Sequence, residues 1–550
     1  MAFSDSGGVK VFASAARSAF FLSGAITLIN VAFGYLLLEP SIGFDDANIT
    51  MVYAENIAAG HGYVYNIGSE RVEGSTSPLW TAINVLAALL PIGLETALAL
   101  LGVLIVTATL WMSMQLGRVV FETADLDGRA AYVPVAIGFL AMPTYFGWAV
   151  WSLMDIGLWI LLTTAAAWLL ARLVVGRHDG PTATGLIVTG VLMALTRPEG
   201  IAVGMAFSLL ALGFGLVLKD RRLRGIALKL GVAVVASWAL LAAARYAYFG
   251  DIFPNTYYSK VSTNFAATVQ QGFGYLKGFL KVPFNFALLA LVAALPAVIR
   301  WSGRPFWPVA RLWTMALLIT GGGVALYVLI GGDHFGSFRF FLFSYPILFP
   351  FAALFLVLAW RRLGAGEGRR WLPLAPVAAA LLLIAVNWSF YAVNKGDYVR
   401  EFRIAEDGRR KGELLNGYPG RPSIGVIAAG GVTLAYEGHV YDLLGLNWVE
   451  MARTNREKVA NYINHGGFSR DVFYATLPDI VHPYFGECDK AHYDEHPFYA
   501  RILDHVVTEP EFQAAYEFEC WEGLVFYRRI GAEEAGPAGM QVSEGGRNAE

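Results

Sequence analysis

Ionisable and aromatic side chains gather in four short segments of the sequence, each beside a long apolar run. They offer carboxylates that could take a proton from a hydroxyl group and cations that could hold a phosphate. The candidates are Asp45, Asp46, Glu73, Thr76, Arg197, Glu199, Asn255, Tyr257, Tyr258, Lys260, Asp333, His334 and Arg339. Charged groups at the ends of apolar helices are costly unless they are paired or line a wet site, so they indicate a functional site.

The acidic pair Asp45 and Asp46 follows the first apolar run and opens the segment "DDANITMVYAENIAAGHG". Apolar residues recur there at helical spacing, which predicts a short amphipathic helix at the membrane surface. One aspartate could cap this helix, which is worth about 1 kcal/mol. The other would stay free beside the membrane, where partial burial could raise its pKa toward that of a useful base. We therefore predict Asp45 and Asp46 as catalytic residues.

The other candidates have structural alternatives. Glu73 could pair with Arg71, and Thr76 could cap a helix because a proline follows closely. Arg197 and Glu199, in "TRPEG", could pair with each other. An arginine left without a full partner would instead suit phosphate oxygens, because its planar fork matches them. The aromatic and basic side chains of the later loops could anchor the chain at the membrane surface. We predict the whole set as donor- or acceptor-binding residues.

The composition is that of a membrane protein. Of the 550 residues, 56% are hydrophobic and 15% are charged, and the mean hydropathy is +0.50. A soluble core does not need so much apolar sequence, whereas a bundle of membrane helices does. The formal net charge of −2 argues against a nucleic-acid partner, because phosphate backbones are bound by clustered positive charge.

The order of apolar runs and basic clusters predicts a multi-pass, all-α bundle over residues 1–393 with about eleven membrane crossings. Twelve runs are candidates, and one between 78 and 147 should fail to cross, because a cytoplasmic N-terminus and an external C-terminus require an odd number. The predicted external loops are 39–77, 250–283 and 331–339. This pattern is typical of a bacterial inner (plasma) membrane protein.

After residue 393 the sequence becomes soluble in character. Residues 394–530 are predicted to form an external α/β domain, and 531–550 a disordered tail. The domain holds both cysteines, Cys488 and Cys520, for which a disulfide is the default outside the cytoplasm. A metal site is the alternative, because histidines lie near Cys488, but their spacing fits no standard zinc pattern. We predict no metal ligands and assign no cofactor, with a divalent cation left as an alternative.

Five segments, in order, resemble the GT-C membrane glycosyltransferases. They are "FDDANITMVYAENIAAGHGYVYNIGSERVEGSTSPLW", "LTRPEG", "FGDIFPNTYYSKV", "GGDHFGSFRF" and "VYDLLGLN". The similarity extends from about residue 40 to 450. Within the family, the segments are most similar to arabinofuranosyltransferases that use decaprenyl-phosphoryl arabinose.

The resemblance implies a GT-C fold in which Asp45 matches the catalytic base and Asp46 lies beside it. It implies also that Glu73, Arg197, His334 and Arg339 line the donor pocket. One departure concerns "WSLMDIG", where Asp155 stands for the family's glutamate and Leu153 for its glycine. A shorter carboxylate at that place puts the identity of the sugar or the acceptor in doubt.

The leading hypothesis is an enzyme that moves a sugar, such as arabinofuranose, from a polyprenyl-phosphate donor to a cell-envelope glycan or surface protein. A second hypothesis keeps the fold but uses a hexose or aminosugar donor, with lipopolysaccharide or flagellin as acceptor. A third is a secondary transporter or lipid flippase, against which the position of the charges at helix ends argues. All three predict contact with membrane lipid.

Overall fold

A computed structural model describes residues 6–41, 43–262, 264–364, 375–454, 466–495 and 501–532. It consists of a helical bundle followed by a terminal α/β domain. The predicted tail from 531 onward lies outside the described residues, apart from its first two positions. The bundle helices are α1 Ser6–Leu38, α2 Asp45–Ala58, α3 Pro78–Ala88, α4 Leu94–Thr123, α5 Tyr132–Leu140, α6 Pro143–Phe146, α7 Ile156–Val174, α8 Gly180–Thr196, α9 Gly200–Val217, α10 Arg221–Phe249, α11 Asn255–Lys260, α12 Phe265–Lys281, α13 Pro283–Trp301, α14 Phe306–Leu329, α15 Ser344–Gly364 and α16 Ala375–Val393.

Within the described residues, eight helices are long and apolar enough to cross a membrane. Two bent helix pairs could each supply one more span, which gives at most ten. Twelve apolar runs of the sequence were candidates, of which one between 78 and 147 was predicted not to cross. Two of those runs form the shorter helices α3 and α8, with 11 and 17 residues. At 1.5 Å per residue α3 is about 16 Å long, roughly half of the hydrocarbon thickness, and it lies in the range where one run was predicted not to cross.

Helix α2 forms where the helical spacing predicted it, but both its surroundings and its cap differ from the prediction. Its apolar face, including Ile49, Val52 and Tyr53, packs into an apolar cluster of the terminal domain rather than against lipid alone. The residue before the helix is Phe44, and no side-chain hydrogen bond caps this end. The prediction that one aspartate caps α2 is therefore wrong. Both aspartates lie in the first turn, where they complement the helix dipole.

The terminal domain begins with α17 Gly396–Leu415 and contains a five-stranded sheet. Its other elements are β1 Ile424–Val426, α18 Gly430–Ala435, β2 Val440–Asp442, α19 Val449–Thr454, α20 Arg470–Thr476, β3 Ile480–Phe485, α21 Lys490–Asp494, α22 Pro510–Ala515, β4 Tyr516–Trp521 and β5 Leu524–Arg529. The strand order is β2-β1-β3-β5-β4. β1 runs parallel to β2 and β3, and β5 runs antiparallel to β3 and β4. The predicted strand–turn–helix–strand order is present as β1, α18 and β2.

Cys488 and Cys520 form a disulfide, with Cα atoms 5.8 Å apart and a sequence separation of 32 residues. The bridge ties the segment after β3 to β4. Cys488 is therefore not available as a metal ligand. Among the residues that the structure describes, no group of three His, Cys, Asp or Glu side chains could hold a metal ion.

Candidate active site

A polar cavity lies where the bundle meets the terminal domain. Its walls come from the first turns of α2, the segment before α3, the segment before α7, helix α11 and one loop of the terminal domain. Its polar side chains are those of Asp46, Thr50, Ser75, Thr76, Ser77, Asp155, Thr256 and Lys260. The cavity thus combines carboxylates, hydroxyl groups and an ammonium group. Asp46, Thr76 and Lys260 were predicted from the sequence, and Asp155 was the family departure noted there.

Asp45 makes a different contact. Its carboxylate accepts hydrogen bonds from the backbone N–H groups of Gly430 and Gly431, at 3.0 and 2.8 Å. Burial raises the pKa of the Asp45 carboxyl to about 6, although the two hydrogen bonds oppose the rise. A Cβ atom on Gly430 would lie 1.8 Å from the backbone oxygen of Asp45, so only glycine allows this approach. These hydrogen bonds hold the start of α2 against the start of α18. The role of Asp45 as the catalytic base stays a prediction.

Arg197 lies between two carboxylates. Its Nη1 donates to both oxygens of Asp155, each at 3.1 Å, and its Nε donates to Glu199 at 2.6 Å. The Tyr327 hydroxyl on α14 also donates to Glu199, at 3.1 Å. The sequence alternative of an Arg197–Glu199 pair is thus present, but Asp155 is a second partner. Because Asp155 also lines the polar cavity, Arg197 lies directly behind the cavity wall.

Arg339 is held in a similar way. Asp333 accepts from its Nε and, at 3.2 Å, from its Nη2. The guanidinium lies 4.2 Å from the ring centroid of Phe335 and 5.1 Å from that of Trp148. His334 stacks on Phe335, with ring centroids 4.1 Å apart. Asp333 therefore orients Arg339 rather than pointing to a ligand itself.

The loop that carries Arg339 has an unusual backbone. Ser337 and Phe338 adopt left-handed conformations, with φ of 68° and 54°. Such conformations cost about 1–3 kcal/mol each in ordinary residues and persist only where the surroundings impose them. This cost is consistent with a loop whose geometry is set by function.

Glu73 is paired, but not with the residue that the sequence suggested. Its carboxylate accepts three hydrogen bonds of 2.8–3.1 Å from Arg245 of α10, and both side chains are buried. Arg71 instead lies over the ring of Tyr248, at 4.7 Å. Arg245 was not predicted, although an arginine near the end of an apolar run is itself a signal of a paired or functional charge.

The side chains of α11 mostly face the terminal domain. The amide nitrogen of Asn255 donates to the backbone oxygens of Gly445 and Leu446, at 2.9 and 3.0 Å. Tyr258 donates to Asp251 at 3.3 Å. Tyr257 is 44% exposed and stacks on Phe253. Asn255 therefore joins α11 to the terminal domain, and Tyr258 joins it to the loop before α11. Lys260 lies in the cavity.

An apolar groove of about 230 Å³ lies between α7, α9 and α14. The residues that line it are Trp159, Thr163, Ala202, Val203, Ala206, Phe207, Leu210, Leu318, Ile319, Gly322, Gly323, Leu326, Tyr327 and Phe343. A chain of hydrogen bonds runs from Tyr327 in the groove lining through Glu199 and Arg197 to Asp155 in the cavity lining.

No protein-family model matches the chain. A curated relative, the terminal β-(1→2)-arabinofuranosyltransferase of Mycobacterium tuberculosis, is 26% identical over 401 residues, which cover 67% of this chain and 61% of the relative. The chain thus spans about three fifths of that relative's length.

Among solved structures, ArnT from Cupriavidus metallidurans bound to undecaprenyl phosphate matches with a TM-score of 0.54 and 15% identity, covering 97% of this chain and 100% of ArnT. The Archaeoglobus fulgidus oligosaccharyltransferase tethered with an acceptor peptide matches with a TM-score of 0.50 and 13% identity, covering 94% of this chain and 74% of that chain. The bundle, its cavity at the terminal domain and these matches together show that the chain has the fold of the GT-C membrane glycosyltransferases.

Proposed function

We propose that the protein transfers a sugar from a polyprenyl-phosphate carrier to an acceptor hydroxyl at the membrane surface that carries the terminal domain. The observation that carries this proposal is the connection of an apolar groove to a polar cavity through Tyr327, Glu199, Arg197 and Asp155. An isoprenoid tail suits the groove, and a phosphate suits a place beside arginines. The linked sugar would then reach the polar cavity.

The reaction needs few groups, because a lipid phosphate is already a good leaving group. The acceptor oxygen forms a bond to the anomeric carbon while the bond from that carbon to the phosphate oxygen breaks. The acceptor proton passes to a carboxylate, and the phosphate departs with the lipid. Asp46 lines this cavity and belongs to the acidic pair that the sequence predicted as catalytic, so we assign general-base catalysis to it. Lys260, which lines the cavity, would stabilise the charge that develops on the phosphate.

The external location of this site is supported by the basic residues at the far end of the bundle. Helix α10 starts with Arg221 and Arg222, and its 29 residues place them about 43 Å from its other end. At that other end Arg245 contacts Glu73, close to the terminal domain. Arg304 donates to the backbone oxygen of Asp125, two residues after the end of α4, again far from the terminal domain. Because basic loops remain cytoplasmic, the terminal domain and the cavity would face outward.

Arabinofuranose is the proposed sugar, because the curated relative is named an arabinofuranosyltransferase and the sequence motifs resemble enzymes that use decaprenyl-phosphoryl arabinose. The proposed acceptor is a cell-envelope glycan or a surface protein. The relative shares 26% of aligned residues with this chain, so the sugar requires a direct test.

The test uses purified protein in nanodiscs with radiolabelled decaprenyl-phosphoryl arabinose, and envelope from a deletion strain as the source of acceptor. We expect label to enter the envelope fraction and decaprenyl phosphate to be released, with both lost in Asp46→Asn. Lipid mass spectrometry of the deletion strain should show accumulation of the same donor. Accumulation of a polyprenyl-phosphate hexose or aminosugar would replace arabinose as the donor. Failure to consume any polyprenyl-phosphate sugar would refute the proposal.

A further inference from the structure

We propose that the terminal-domain segment 443–448 forms the acceptor-side wall of the polar cavity, with Leu446 as a specificity-determining residue and Asp442 as a positioning residue. The inference rests on the proposed function, because it concerns the sugar that would occupy this cavity. It assigns to the terminal domain a direct part in the reaction.

Leu446 lines the polar cavity together with Asp46, Thr76 and Lys260. Among the described residues that line it, Leu446 is the one that belongs to the terminal domain. Leu446 contributes an apolar surface to a lining that also contains Ile49, Trp80 and Met154. An apolar side chain beside a reacting sugar offers no hydrogen bond to water, so it would favour an acceptor hydroxyl over water at the anomeric carbon.

The segment is held in shape from within by Asp442 at the end of β2. Its buried carboxylate accepts hydrogen bonds from the N–H of Leu444 at 3.0 Å and from the backbone and side-chain nitrogens of Asn447, both at 2.9 Å. Gly445 turns the chain between them with a φ of +74°, a conformation that glycine adopts without strain. Leu446 therefore occupies a fixed position in a tight loop.

The segment is also fastened to the bundle. Asn255 donates to the backbone oxygens of Gly445 and Leu446, at 2.9 and 3.0 Å, and Ser259 donates to that of Leu444 at 2.7 Å. These contacts fix both sides of the turn against α11. Because Lys260 follows Ser259 directly, the same helix carries the cavity's ammonium group and anchors its apolar wall.

A third contact joins the segment to the wall that precedes α3. Tyr53 donates to the side-chain oxygen of Asn447 at 3.0 Å and accepts from the N–H of Gly74 at 2.9 Å. A Cβ atom on Gly74 would lie 1.8 Å from that oxygen of Asn447. Any larger residue at position 74 would push the loop away. The wall is thus closed from three directions, and the cavity is complete only when the terminal domain is docked.

The experiment measures hydrolysis of decaprenyl-phosphoryl arabinose by purified protein in nanodiscs with no acceptor present. Water then attacks the anomeric carbon and gives free arabinose and decaprenyl phosphate. We expect Leu446→Ala to raise the hydrolysis rate at least tenfold over wild type and to lower transfer, whereas Leu446→Met keeps both within about twofold because its volume is similar. Asp442→Asn should also raise the hydrolysis rate. A variant that only lost its folded structure would not hydrolyse the donor faster.

A second measurement serves if Leu446→Ala does not fold. Both native cysteines are in the disulfide, so Leu446→Cys introduces a single thiol into the cavity. We expect decaprenyl-phosphoryl arabinose to slow its labelling at least fivefold, and to leave labelling of the matched variant Glu450→Cys unchanged. Glu450 is exposed and lies outside the cavity lining.

Unchanged hydrolysis in Leu446→Ala, or equal labelling of Leu446→Cys with and without donor, while the wild type still transfers sugar, would overturn the inference and leave the proposed function standing. If the wild type consumes no polyprenyl-phosphate sugar, the proposed function fails and this inference fails with it.

Discussion

Replacing Asp45 and Asp46 by asparagine, one at a time, distinguishes a residue that holds two helices together from a residue that acts as the general base. Asp45→Asn keeps the size of the side chain but leaves one oxygen acceptor where the carboxylate offers two. Asp46→Asn likewise keeps the size but cannot take a proton. The two side chains are neighbours in sequence, and the structure gives them different contacts: Asp45 meets two backbone N–H groups, and Asp46 lines the polar cavity.

For Asp45 two effects on stability nearly cancel. Leaving one of the buried N–H groups without an acceptor costs about 1–3 kcal/mol. Against this, burial raises the pKa of the Asp45 carboxyl from 3.8 to about 6, so keeping it ionised at pH 7 costs about 3 kcal/mol, which asparagine does not incur. We therefore expect Asp45→Asn to be within about 2 kcal/mol of wild type at pH 7.

The same pKa shift gives the two proteins different pH dependences. A carboxyl whose pKa is raised by folding contributes stability that is fully present below its unfolded pKa of 3.8 and is lost as pH rises through about 6. Wild type should therefore lose stability between pH 4 and pH 6.5 relative to Asp45→Asn. Thermal denaturation in nanodiscs across this range measures the difference.

For Asp46 the expected effect is on the rate. Loss of a general base lowers the rate about 10²–10⁴-fold, which corresponds to a barrier increase of about 3–5 kcal/mol. The assay is sugar transfer from radiolabelled decaprenyl-phosphoryl arabinose, with donor binding measured separately by native mass spectrometry. We expect Asp46→Asn to bind donor normally and transfer at least a hundredfold more slowly, and Asp45→Asn to lose less than tenfold. The reverse pattern would refute this reasoning and assign the base to Asp45, as the sequence resemblance implied.

Three further predictions concern the rest of the chain. Removing one partner of the buried ion pair, as in Arg245→Met, should lower the free energy of unfolding by about 3–5 kcal/mol, and adding Glu73→Met should restore most of it; equal melting temperatures for single and double variants would contradict this. Denatured, unreduced protein should show no reactive thiol, and Cys488→Ser, which opens the bridge to Cys520, should cost about 3–4 kcal/mol; two titratable thiols in the wild type would disprove the bridge. In intact cells an impermeant thiol reagent should label Glu450→Cys, and labelling that requires lysis would place the terminal domain in the cytoplasm.

The sequence predicted those features that depend on local pattern. Apolar spacing was sufficient to predict α2, and turn glycines between β-branched runs predicted β1, α18 and β2. The membrane bundle with a terminal α/β domain is confirmed. Which run between 78 and 147 fails to cross could not be predicted, because hydropathy measures the apolar character of a run such as α3 but not where its helix ends.

Partners far apart in sequence could not be predicted. Asp45 bonds to backbone groups 385 and 386 residues away, and a backbone N–H has no signature of its own in the sequence. Glu73 meets Arg245 across 172 residues, whereas the nearer Arg71 was the obvious partner by sequence. Leu446 was part of a recognised motif, but an isolated leucine gives no indication that it lines a polar cavity.

The separation between Asp45 and α18 also has a consequence for biosynthesis. Helix α2 emerges from the ribosome 385 residues before the glycines that receive its first aspartate. At about 5–20 residues per second, translation takes about 20–80 s to cover that distance. During this interval α2 has neither its anchor nor the loop that completes the cavity. A nascent chain therefore acquires a closed cavity only after Leu446 has been made, when all the helices of the bundle have already been synthesised.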